Sequence, residues 1–223
     1  MNVSDDLKQL PVHVEPMTVS DLPQVMEIDR AAFPSPWSAR AYEYELRYND
    51  MAHYFVARLD VNALARQARG GLWHRFRRLW QAKAQSENHP LVGYVGYWLM
   101  AGEAHISTIA VHTAYRGYSY GELLLASVLQ DAARHGAQVA TLEVRVSNVL
   151  AQQLYFKYDF EKVGMRKAYY ADNNEDAFIM TTPPLHSAAY QEKQRRLRTA
   201  LVLRFQERMS NNALLARPQM QTH

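Results

Sequence analysis

The sequence predicts an α/β domain built on one mixed β-sheet with helices on both of its faces. Three observations carry this reading. Apolar runs of strand length alternate with segments whose apolar residues recur at helical spacing, in the order β-α-α-β-β-β-α-β-α-β-β. The segment GELLLASVLQDAARHG (121–136) has the length and amphipathic pattern of a helix laid against a sheet. Finally, a chain of 223 residues with 48% apolar, 21% charged and 11% aromatic residues is globular in composition, and long enough for one well-packed domain with additions.

VHVEPMT (12–18) reads as a strand, and SDLPQVMEIDRAAF (20–33) as a helix with Ser20 as N-cap and Asp21 in its first turn. Leu22, Val25, Met26 and either Ile28 or Asp29 turn about its face. Two prolines in FPSPW end it, because proline lacks an N–H and restricts the residue before it. Ser38 then caps a second helix, ARAYEYELRY. HYFVARLD (53–60), LVGYVGYWLM (91–100) and AHISTIAVH (104–112) read as strands. In the helix at 121–136, Leu124, Val128 and Ala132 share a face with Leu125 and Leu129, and Gly136 is placed to end it. QVATLEVRV (138–146) is a strand, NVLAQQLYFKY (148–158) a helix, and FEKVGMRKAYY (160–170) and DAFIMTT (176–182) are the closing strands. No internal repeat or low-complexity tract interrupts the pattern.

The chain has no cysteine, which excludes disulfides, thiolate metal sites and a cysteine nucleophile. No apolar stretch approaches the roughly 20 residues of a membrane span, and MNVSDDLKQL lacks the basic-then-apolar pattern of a secretory leader, so a cytoplasmic protein is expected. The net charge of +3 is unevenly spread. Residues 61–84 carry six Arg/Lys and no acid, and residues 185–223 carry seven basic against two acidic residues, so the remainder is about −8. The expected organisation is a catalytic-type domain over 1–184, interrupted by a basic amphipathic insertion at 61–89, and a basic helical extension over 185–223.

RGYSYG (116–121) joins the apolar run ISTIAVH to the helix at 121–136. A glycine-containing turn with a basic residue at a helix start can hold phosphate, because free backbone N–H groups and the positive end of the helix dipole converge there. The same residues also suit an ordinary turn, and the motif alone leaves both readings open.

Longer stretches decide between them. ISTIAVHTAYRGYSYGELLL, LEVRVSNVLAQQLYFKYDFEKVGMRKAYY and EDAFIM together resemble the GCN5-related N-acetyltransferase (GNAT) superfamily, over roughly residues 10–182 without 61–89. Within it they resemble the branch that acetylates protein N-termini, typified by the bacterial enzyme for the alanine end of ribosomal protein S18. The resemblance implies a sheet with splayed middle strands, acetyl-CoA as cosubstrate, and direct transfer in a ternary complex. It places Arg116, Gly117, Tyr118, Ser119, Tyr120 and Gly121 on the coenzyme pyrophosphate, with Ser119 standing where the family has glycine, and Asp159 where it has glycine after the helix. It gives Ile109, Ala110 and Val111 the pantetheine arm and acetyl carbonyl through their backbone, and Asn148 a coenzyme contact. Glu143 matches the base and Tyr155 the acid; a solvent-facing strand glutamate and a packed helix tyrosine are the bland alternatives. Phe33 and Pro34, with Tyr169 and Tyr170, match positions around the acceptor's first residue.

The fold alone does not select the acceptor. A lysine or small-amine acetyltransferase, or a non-catalytic CoA-binding or RNA-tethered module, stays open beside transfer to a protein N-terminus. The insertion, with Trp73, Phe76 and Trp80 on one helical face and arginines elsewhere, admits three roles: packing on the body, lying on a membrane surface, or contacting ribosomal RNA. The tail reads as a basic helix that packs on the body or mediates an oligomer contact. Nine histidines without an HxxxH spacing give no expectation of a metal.

Overall fold

The computed structural model describes residues 10–60 and 90–210. The basic insertion at 61–89, with its expected amphipathic helix, lies outside the described residues, as do residues 1–9 and 211–223. In chain order the elements are β1 (Val12–Pro16), a 3-10 turn (Val19–Asp21), α1 (Leu22–Ala32), α2 (Ala39–Tyr48), β2 (Ala52–Leu59), β3 (Leu91–Met100) and β4 (Glu103–Val111). A second 3-10 turn (Thr113–Tyr115) leads to α3 (Tyr120–Arg134), β5 (Val139–Arg145), α4 (Val149–Lys157), β6 (Glu161–Tyr170), β7 (Glu175–Thr181) and α5 (Ala188–Ser210).

The expected order of strands and helices is present, with one correction at the first helix. Thr18, not Ser20, opens the 3-10 turn that leads into α1, and Asp21 stands at the N-cap position of α1 itself. The Thr18 N–H and hydroxyl both donate to Asp21 Oδ2, at 2.8 and 2.9 Å, so the acid chooses the threonine three residues before it and a 3-10 turn precedes the helix. Ser38 does cap α2, accepting the Ala41 N–H at 3.1 Å.

The seven strands lie in the order β1-β2-β3-β4-β5-β7-β6, antiparallel except for β4 beside β5. Alternation along β2 sets the two faces: Tyr54 and Val56 enter one apolar cluster with α1 and α2, and Ala57 and Leu59 enter the other with α3 and α5. Gly96 is required on the first face, because a β-carbon there would lie 2.2 Å from the Tyr54 ring. On the second face α3 buries Leu123, Leu124, Leu125, Val128 and Leu129 almost completely, each worth about 1.5–3 kcal/mol of transfer from water.

The feature that shapes the site is one extra residue. Along β3 and β4 the pairing runs Gly96 with Thr108, then Tyr97 with Ile106, so Ser107 is bulged. Before it, Ala104 and Ile106 face the α3 side; after it, Ile109 and Val111 do. The parity flips, as a one-residue slip requires. The parallel ladder between β4 and β5 ends at the same place, with Ile106 opposite Leu142 as its last pair.

The C-terminal helix α5 packs on the body. Tyr190, Leu201, Val202 and Phe205 are buried in the α3-side cluster, and Phe205 lies 5.6 Å from the Tyr120 ring. Glu122, buried in the first turn of α3, accepts from Lys157 of α4 at 2.5 Å, from Arg204 of α5 at 2.7 Å and from the Tyr158 hydroxyl at 3.2 Å. One carboxylate thus joins three helices. Among the described residues no helix is long and apolar enough to cross a membrane.

Candidate active site

Where β4 and β5 part, a cleft of about 430 Å³ opens. Of the residues singled out by sequence, Phe33, Pro34, Ile109, Glu143, Asn148, Tyr155, Tyr169 and Tyr170 line it together. Ala110, Val111 and the turn 116–121 are not in its wall. A second hollow, of about 540 Å³, lies between α3 and α5 and holds none of the expected residues.

Glu143 projects from β5 next to the last paired residue, Leu142. Its two oxygens are both engaged: Oε2 lies 2.7 Å from His105 Nε2, and Oε1 lies 3.0 Å from Arg166 Nε. These partners, His105 first, hold its carboxyl below the usual glutamate range against the opposing effect of burial. The solvent-facing alternative is therefore not what the fold builds, since the side chain is only 8% exposed. His105 also lines the cleft, its ring edge-on to Trp98 at 5.8 Å. Sequence reading did not single out His105 or Arg166. The signal lies in the register, since His105 pairs Thr141 across the parallel ladder, two residues from Glu143.

Tyr155 comes from α4 and is buried, with its ring 5.6 Å from Phe160. Burial, and then Tyr170, push its pKa upward, so the phenol keeps its proton. Tyr169 and Tyr170 reach the cleft where β6 bulges, just before Tyr170 pairs with Glu175: Ala168 takes a left-handed φ of 47°, and its N–H donates to Asp176 Oδ1 at 2.9 Å. Tyr170 is then held flat under the Arg145 guanidinium, 3.8 Å from the ring centroid, and Arg145 is itself fixed by Asp172, Asn173 and Glu175. Burial pushes the Tyr170 phenol up to about 12.

The opposite wall depends on Asp29, buried near the end of α1. Its Oδ2 accepts the Trp37 N–H at 2.8 Å, closing the loop that carries Phe33 and Pro34, while Oδ1 accepts from the hydroxyls of Tyr94 and Tyr42. The loop is thereby tied to the sheet floor.

At the start of α3, Gly117 and Ser119 both adopt left-handed backbone, with φ of 81° and 67°. The β-carbon of Ser119 does not prevent this conformation, though it makes it costlier than for glycine. The Ser119 side chain makes no cap, so the first-turn amides of α3 are left to an external acceptor. Arg116 bends back to donate to the Val111 carbonyl at 3.3 Å, and the Tyr120 side chain is buried in the core rather than turned to the loop. A β-carbon at Gly121 would meet Val111 at an ordinary 3.6 Å, and one at Gly117 would meet nothing, so the turn is roomy. Asn148 starts α4 differently, accepting the Ala151 N–H at 3.2 Å. Asp159 adopts a left-handed φ of 57° and pairs with Lys193 of α5.

A profile of the acetyltransferase (GNAT) family matches residues 22–160. A protein of Bacillus subtilis (strain 168), provisionally named ribosomal protein bS18-alanine N-acetyltransferase, is 36% identical over 167 residues, covering 75% of this chain and 92% of the relative. Among solved structures, the ribosomal-protein-S18-alanine N-acetyltransferase of Escherichia coli shares the fold with a TM-score of 0.60 at 23% identity, over 79% of this chain and 96% of that one. Arabidopsis thaliana NAA60 in complex with acetyl-CoA does so with a TM-score of 0.58 at 16% identity, over 76% and 97%.

Proposed function

The chain belongs to the acetyltransferase (GNAT) family, and from that premise we propose that it transfers the acetyl group of acetyl-CoA to the N-terminal α-amino group of a protein, the alanine end of ribosomal protein bS18 being the acceptor its relatives are named for. The observation that carries this reading is the cleft between the parted strands, which an anionic glutamate and a protonated tyrosine line together with Phe33, Pro34, Tyr169 and Tyr170.

Acetyl-CoA, when bound, supplies an acetyl group already activated as a thioester. The residues present fit it: the uncapped amides of α3 and the left-handed pair Gly117 and Ser119 suit its phosphates, and the main chain of Ile109 to Val111, beyond the end of the β4–β5 ladder, suits its amide-rich arm. Asn148 keeps its amide N–H₂ available beside the cleft while its carbonyl oxygen caps α4.

The acceptor must present a neutral amine, yet an α-amino group with a pKa of about 7.7–8.0 is mostly protonated at pH 7. A base is therefore needed. Glu143 has both oxygens taken, so we assign this role to the Glu143–His105 pair. With Nε2–H donated to Glu143 Oε2, His105 Nδ1 carries the lone pair that receives the amine proton, and the carboxylate stabilises the imidazolium that results. Tyr155, kept protonated by burial, is the donor for the departing thiolate. Phe33, Pro34, Tyr169 and Tyr170 form the apolar and aromatic rim that receives a small first residue.

The test is incubation with acetyl-CoA and peptides that differ in their first two residues, with mass spectrometry locating the added group. Acetylation at the α-amine of peptides beginning with alanine is the expected result. Product confined to lysine side chains or polyamines would replace the acceptor assignment, and no product from any amine would favour the non-catalytic alternative.

A further inference from the structure

We propose that His53, Asp131 and His135 form a binding site for a divalent transition-metal ion, with zinc(II) as the ion their donors suit. His53 stands near the start of β2, and Asp131 and His135 lie one turn apart at the end of α3. A ligand atom from each lies within 4.8 Å of the other two. The expectation of no metal rested on the lack of two histidines four residues apart. Here that spacing is met by an aspartate and a histidine on one helix, and the third donor comes from a strand far earlier in the chain.

The surroundings resemble those of a ligand set more than those of a chance cluster. The Tyr97 hydroxyl donates to Asp131 Oδ2 at 2.7 Å, and His135 Nδ1 lies 3.4 Å from the same oxygen, so the carboxylate is oriented as outer-sphere partners orient metal ligands. The His53 ring stacks on Tyr97 at 4.7 Å and 8°, which sets its plane. His135 Nδ1 lies 3.0 Å from the Asp131 main-chain carbonyl, which leaves Nε2 to carry a lone pair. The two imidazoles are 4.7 Å apart.

Two nitrogens and one carboxylate oxygen are a donor set for zinc, with bonds of about 2.0–2.2 Å. Tetrahedral donors at those lengths sit roughly 3.3–3.5 Å apart, so the three side chains must draw inward by about an ångström. His135, at the helix end and half exposed, has room to do so. The fourth position would be filled by water. None of the three residues lines the catalytic cleft. The ion would pin the end of α3 to β2, so this inference does not rest on the proposed reaction.

The experiment uses the full-length, untagged chain, stripped with a chelator and titrated with zinc chloride by calorimetry, with thermal melting in parallel. Binding of one zinc per chain is expected, together with a melting temperature raised by saturating zinc. His135→Ala should weaken the affinity at least about tenfold, and the exposed position makes that variant safe for folding. Asp131→Asn, which keeps shape but loses charge, should weaken it similarly. Cobalt(II) added in place of zinc should give visible absorption typical of a tetrahedral site, which the His53→Gln variant loses. The absence of saturable binding by about 100 µM zinc would overturn the proposal, as would one-to-one binding undiminished in His53→Gln/His135→Ala, which would place the ion on other histidines.

Discussion

Two helices begin beside the parted strands, and they begin in opposite ways. At α4, Asn148 turns its side chain onto the Ala151 N–H and closes the turn from within. At α3, Ser119 is an equally good capping residue by type, yet its left-handed backbone prevents a cap and the first amides stay open. Residue type proposes a cap, and the loop that delivers the chain decides whether it forms. The 116–121 turn leaves the second start uncapped, while the first is a closed piece of structure.

If that contrast is correct, neither start carries the chemical step. Glu143→Gln and Tyr155→Phe should each lower kcat by roughly 100-fold to 10,000-fold while leaving acetyl-CoA affinity within about twofold, measured by steady-state kinetics and calorimetry. Loss of coenzyme binding in either variant would mean that the cleft and the cradle are one energetic unit. A smaller effect is expected at the closed start. Asn148→Ala removes a formed cap and should cost about 1 kcal/mol, or about 2–4 °C in melting temperature. A rise in the KM for acetyl-CoA beyond what that loss explains would show Asn148 serving both roles. The smallest effect belongs to the open start. Ser119→Ala should be nearly neutral because no cap is lost, and Ser119→Gly should raise stability by about 0.5–1 kcal/mol by relieving the left-handed serine. A destabilisation of Ser119→Ala matching that of Asn148→Ala would erase the contrast.

The elements were legible because periodicity reports burial, and burial is what this sheet uses to order itself. GELLLASVLQDAARHG and LVGYVGYWLM fall within two residues of their observed ends for this reason. Thr18 was missed because Ser20 is just as plausible locally, and only the reach of Asp21 separates them. His105 was missed for a different reason. Its role comes from lying across a parallel ladder from the Glu143 strand, and no local pattern encodes the register of two strands separated by a helix. Asp131 and His135 were visible four apart, but the residue that gives the pair meaning, His53, is brought in only by the packing of α3 on β2. The motif residues around Glu143 and Tyr155 were legible through resemblance alone, since as isolated letters a strand glutamate and a helix tyrosine are unremarkable.

The bulge at Ser107 has a consequence for how this architecture can be lost. The bulge is a counting mismatch built into the β3–β4 ladder, one residue more on β4 than β3 can match, and the β4–β5 ladder stops beside it. Swapping that serine for another side chain leaves the count intact, so the wedge persists whatever its chemistry. Removing the residue altogether should bring β4 back into register with β3 and let the ladder to β5 run on, giving a sound sheet with no cleft between the strands.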